Sequence, residues 1–117
     1  LKPDIETSKF DRAKGSILGA FLGDALGAVL EFENTKISME QVKIAFTMPG
    51  GGNHTGEGAI PGEYTTVGKG QITDDSELAM CLMHALVESQ GKIIPKEIAR
   101  NYAYWMQANP FDVGNTC

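Results

Sequence analysis

Apolar residues arrive in pairs four positions apart early in the chain: Ile17-Leu18, Phe21-Leu22, Ala25-Leu26 and Val29-Leu30. Residues four apart share a helix face, so the pattern predicts a helix running from a Ser8 cap to about Phe32. Residues 33–45 are mixed, with weak helical character around Ser38-Met39-Glu40-Gln41-Val42. From Met48 to Gly70 the chain is rich in Gly and Pro and has no period. That stretch exceeds the usual connection length, and such loops are commonly functional. A third helix is expected after Thr73-Asp74-Asp75, burying Leu78, Ala79, Leu82, Met83, Ala85 and Leu86 and ending before Gly91. A fourth, with Pro95 in its first turn, carries Ile98, Ala99, Tyr102, Ala103, Trp105 and Met106 until Asn109-Pro110-Phe111 breaks it. Neither a strand run nor a βαβ alternation is visible. The expected fold is all-α, with a long Gly-rich loop between helices.

Alternating with the apolar pairs is a second ladder, Gly15, Gly19, Gly23 and Gly27. Each glycine costs a helix roughly 0.8–1 kcal/mol relative to Ala. The ladder therefore predicts close approach of another helix or of a ligand to this bare backbone. Small-residue ladders also pack transmembrane helices, but the apolar run covers only residues 15–30 and has Asp24 in its middle. That is short of the ~20 residues a bilayer core requires. No membrane span is expected.

Composition narrows the partners. The chain has 117 residues, 42% hydrophobic and 21% charged, as in one small globular domain. Its net charge of −5 offers no basic stripe to a nucleic-acid backbone, so nucleic acid is not expected. A nucleotide-like ligand held by backbone amides and metal ions stays open. Cys81 and Cys117 make no disulfide framework, and Cys81, Met80 and Met83 read as packing residues. The polar start carries no signal peptide and no initiator Met. An intracellular location is expected, in a numbering that starts inside a longer chain.

The candidate chemistry centres on Gly70-Gln71-Ile72-Thr73-Asp74-Asp75-Ser76-Glu77. Thr, Asp and Ser favour a helix N-cap, and Glu77 stands three after Asp74 as in a capping box. Yet a cap uses one side chain, whereas three hard oxygens in a row suit magnesium, manganese or calcium. Cap and metal readings both stand. Asp24 and Glu31 are seven positions apart and so nearly superposed on one helix face. They read as solvent-exposed acids, or as an acid/base pair or carboxylates that orient the ligands of a metal. The long loop has neither a Walker lysine motif nor a dinucleotide glycine fingerprint, and His54 reads as a surface loop residue.

Four separated pieces resemble the ADP-ribosylglycohydrolase family: Gly19-Ala20-Phe21-Leu22-Gly23-Asp24-Ala25-Leu26-Gly27 with Glu31, then Gly70 to Ser76, then Tyr104-Trp105, then Phe111-Asp112-Val113-Gly114-Asn115-Thr116. That family includes the hydrolase reactivating dinitrogenase reductase and the ADP-ribosyl-arginine and ADP-ribosyl-serine hydrolases. The resemblance implies a compact helical protein with two divalent cations, magnesium or manganese, in an ADP-ribose cleft. It implies Thr73, Asp74 and Asp75 as metal ligands, Glu31 as the acidic residue near the substrate with a role in catalysis or in gating the cleft, and Asp112, Gly114 and Asn115 as substrate-binding residues. The implied reaction is hydrolysis of the N- or O-glycosidic bond joining ADP-ribose to a protein side chain or related conjugate.

The departure from the family is one of length. Family domains are roughly two to three times longer, within the usual range for single domains. Their remaining ligands come from an Asp-x-Asp-Thr-type segment near the carboxyl end, and after Asp75 this chain has only Asp112. Residues 1–117 therefore resemble the amino-terminal segment of one such domain. Three readings follow: the remaining ligands lie in the rest of the domain, they lie on another chain, or the site is lost. In the last case the protein is a catalytically silent homologue serving as a binding or structural subunit.

Overall fold

The computed structural model describes residues 5–31, 36–54, 65–110 and 112–114. Among the described residues there are four helices: α1 (Ile5–Gly27), α2 (Met39–Ala45), α3 (Asp74–Glu88) and α4 (Pro95–Gln107). Two short strands, β1 (Gly51–His54) and β2 (Thr65–Val67), pair antiparallel with an irregular register. The helical class holds, and the ribbon inside the glycine-rich stretch is an addition to it. Gly51-Gly52-Asn53-His54 has no apolar alternation to announce a strand, and its partner lies more than ten positions further along the chain. His54, expected on a loop, closes β1.

The first helix departs from its expected limits at both ends. It begins at Ile5 rather than after Ser8, whose hydroxyl instead accepts a bond from Arg12 at 2.8 Å within the helix. It ends at Gly27, where Leu30 N–H donates to Gly27 O at 2.8 Å and tightens the chain into turns; Phe32 lies outside the described residues. Helix α2 is better defined than its sequence suggested. Ser38 and Gln41 form a reciprocal capping box, the Ser38 hydroxyl accepting from Gln41 N–H and the Gln41 side chain accepting from Ser38 N–H.

Helices α3 and α4 are the most closely packed pair, and α1 meets α3 near the latter's start. Trp105 on α4 donates its indole N–H to the Glu77 carboxylate on α3 at 2.6 Å. Among the described residues the buried apolar positions are all alanines: Ala25, Ala28, Ala45 and Ala85. Leu82, expected in the core, is exposed, and so are Ile17, Leu18 and Leu22 on α1. Among the described residues the glycine ladder meets no close neighbour. A Cβ built at Gly15, Gly19, Gly23 or Gly27 would meet nothing within 4 Å. Among the described residues no helix is long and apolar enough to cross a membrane.

The end of α3 is closed by a Schellman arrangement. Gly91 N–H donates to Leu86 O at 2.7 Å and Gln90 N–H to Val87 O at 3.1 Å. The left-handed position falls on Gln90, with φ +53°, a conformation that costs a non-glycine residue about 1 kcal/mol. Gln90→Gly is expected to raise unfolding stability by roughly that amount, read as a shift of the urea midpoint at unchanged m. An unchanged or lower midpoint would contradict this account of the turn.

Candidate functional site

The site begins where the glycine-rich stretch delivers the chain to α3. Gly70, at φ +65°, turns the backbone, and the Gln71 side chain accepts from Gly68 N–H at 2.8 Å. Thr73 then takes the N-cap position in an extended conformation and is almost fully buried, at 3% exposure. Its hydroxyl does not cap its own helix. Instead it donates to Asp24 Oδ1 at 2.6 Å, while Thr73 N–H donates to Asp24 Oδ2 at 2.9 Å. One carboxylate on α1 thereby caps α3 from 49 positions away.

The expected capping box between Asp74 and Glu77 is not formed. The N-cap falls on Thr73, one residue earlier, and Glu77 is engaged by Trp105. Ser76, also buried, lies on the same side of the helix start and contributes to stabilising the Asp24 carboxylate. Burial alone would raise the Asp24 carboxyl. Ser76 and Thr73 together outweigh it, and the net shift is downward, favouring the ionised form.

The next two carboxylates face different duties. Asp74 Oδ2 accepts the Gly114 N–H at 3.0 Å, binding the segment 112–114 to the start of α3. Asp75 is exposed, free to meet a ligand. Asp112 accepts its neighbour's Val113 N–H at 2.8 Å. Glu31, in the turns after α1, feels all of this charge. Glu31 is exposed, yet partial desolvation, and after it repulsion from Asp112, Asp74, Asp75 and Asp24, raises its carboxyl above the ordinary 4.5.

Glu31, Thr73, Asp74, Asp75, Asp112 and Gly114 thus belong to one neighbourhood built from three separated segments; Asn115 lies outside the described residues. What sequence reasoning missed is the use of Asp24 and Ser76. The available signal was a polar Thr at a helix start with an Asp stranded among apolar residues.

With this geometry in place, comparison with known proteins is informative. The sequence profile of the ADP-ribosylglycohydrolase family matches residues 5–117. The chain belongs to the ADP-ribosylglycohydrolase family. It is 37% identical over 110 residues to the ADP-ribosyl-[dinitrogen reductase] glycohydrolase of Rhodospirillum rubrum, covering 94% of this chain and 33% of that protein. It is 31% identical over 112 residues to an ADP-ribosylarginine hydrolase of Pseudomonas putida, covering 90% of this chain and 26% of that one. The corresponding hydrolase of Serratia proteamaculans is 30% identical over 119 residues, with 95% and 28% covered. The chain therefore spans a quarter to a third of the length of these relatives. No solved structure gives a significant match.

The donors suit the family's expected dications in kind, since Thr73, Asp74 and Asp75 supply only hard oxygens. The mutual repulsion that raises Glu31 is what a cation would relieve. In number they fall short: among the described residues no three His, Cys, Asp or Glu side chains are grouped so as to hold a metal ion.

A pH dependence follows from Glu31. Because its folded carboxyl lies above 4.5, ionising it opposes folding; the penalty is present above the folded value and relieved as pH falls through it. In chelator, Glu31→Gln should therefore melt at a higher temperature than the parent at pH 7.5, the gap closing by pH 4. A gap that is absent at pH 7.5, or that persists unchanged to pH 4, would remove the charge-repulsion account.

Proposed function

We propose that this chain is the amino-terminal part of a hydrolase that releases ADP-ribose from a modified protein side chain or a related conjugate. The observation that carries the reading is the meeting of Glu31, Asp74, Asp75 and Asp112 around the start of α3 in a chain matching the glycohydrolase family. Thr73, Asp74 and Asp75 would hold part of a two-dication centre of magnesium or manganese. When bound, the cations would supply Lewis-acid polarisation and a site for ribose hydroxyls and water. The rest of the domain, or another chain, would complete the ligand set.

Each residue of this chain has a separable task. Thr73 and Asp74 are presented on the rigid start of a helix rather than on a free loop, which keeps donors in place without ordering them anew for each turnover. The N-terminus of α3 adds a partial positive charge that steadies carboxylates there. Asp74 also anchors residues 112–114, which we assign with Asn115 to the ribose and phosphate region. Glu31 we assign the proton. A carboxyl raised by partial desolvation and by neighbouring charges is better matched to holding and releasing a proton than an ordinary one. Near the scissile C1″ its charged form would also favour an oxocarbenium-like centre.

The test uses the protein as the cell makes it, with ADP-ribosylated protein as substrate and manganese or magnesium supplied. Release of ADP-ribose should stop in chelator and return with metal. Asp74→Ala and Asp75→Ala should each lower it at least ~100-fold, with weaker manganese binding by calorimetry. Undiminished hydrolysis in chelator, or in both variants, would sink the metal assignment. Binding of ADP-ribose without any hydrolysis would instead identify a silent binding subunit.

A further inference from the structure

The Asp24–Thr73 contact carries more than a cap. Asp24 presents two oxygens, and Thr73 presents two donors, its N–H at 2.9 Å and its hydroxyl at 2.6 Å. A hydroxyl has one proton and two acceptor lone pairs. With the proton committed to a carboxylate, the oxygen can only accept on its remaining side. The geometry points to Asp24 as a positioning residue that fixes the direction of the Thr73 hydroxyl, keeping its oxygen an acceptor toward the site. This rests on the dication reading above only for what the oxygen then meets. Ser76, buried beside the same carboxylate, adds to the stabilisation of its charged form.

Asparagine separates this role from simple capping. In Asp24→Asn the side chain keeps its shape, and its single carbonyl oxygen can still take the Thr73 N–H. Its amide then faces the hydroxyl as a donor, so the Thr73 oxygen must accept from it and turn its own proton toward the site. Capping survives, and the polarity of the hydroxyl reverses. A residue that served only to cap α3 would tolerate this change.

Two measurements on the full protein decide the matter. By NMR without metal, the Thr73 hydroxyl proton should be slowly exchanging and shifted downfield, and that signal should be lost in Asp24→Asn. A rapidly exchanging, unshifted proton in the parent overturns the assignment even if the variant does not fold. By calorimetry, manganese affinity should fall about 10–100-fold in Asp24→Asn and by a similar factor in Thr73→Val. The double variant should fall no further than Thr73→Val, because the two act through one oxygen. Parent-like manganese affinity in Asp24→Asn, or additive losses in the double variant, would overturn the positioning role while leaving the dication reading intact. A parent that binds no manganese yet shows the protected hydroxyl would overturn the dication reading and leave the orientation standing.

Discussion

The contact between α1 and α3 depends on a single carboxylate accepting from both donors of one residue. Without Asp24, the buried N–H and hydroxyl of Thr73 would lose their partner, at a cost of about 1–3 kcal/mol for each buried group left unsatisfied. With it, the start of α3 is fixed relative to the turns that carry Glu31. The acidic residues are thereby held within electrostatic reach of Glu31. Their placement follows from a hydrogen-bonded joint between helices, made where apolar packing is thin: on α1 and the turns after it, the buried positions among the described residues are Ala25 and Ala28.

That joint explains why cap and ligand readings of Thr73-Asp74-Asp75 need not compete. In an ordinary N-cap the Thr side chain would be consumed by its own helix. Here Asp24 caps from outside and relieves Thr73 of that duty. Asp74 is spent on Gly114 through one oxygen only, and Asp75 projects outward. Oxygen atoms are left at the helix start with little protein to satisfy them.

Much of the fold was legible because the relevant signals are local. Helices α3 and α4 follow from apolar spacing, from Pro95 at a first turn and from the stop at Gly91. The ribbon was not, since glycines carry no alternation and its two strands are distant in sequence. Nor was the start of α1, where a good capping residue at Ser8 proved to be interior to the helix. At the site, residue types and order identified the acidic members. The Asp24–Thr73 bond could not be read, because it joins residues 49 positions apart and no periodicity links them. The expected burial of Leu82 and the glycine ladder failed for a shared reason. An amphipathic pattern says that a face wants cover, and the described residues do not supply it.

The bond from Gly114 to Asp74 joins the segment after α4 to the helix start that carries the acidic oxygens. A carboxylate shared in this way couples what happens on its two sides. Whatever repositions Gly114 perturbs Asp74, and whatever draws on Asp74 perturbs Gly114. Linkage makes the effect reciprocal: if occupancy at one favours the other by some factor, the converse holds by the same factor. The short segment 112–114 is therefore a thermodynamic partner of the helix start, and changes in either should be read in the affinity of both.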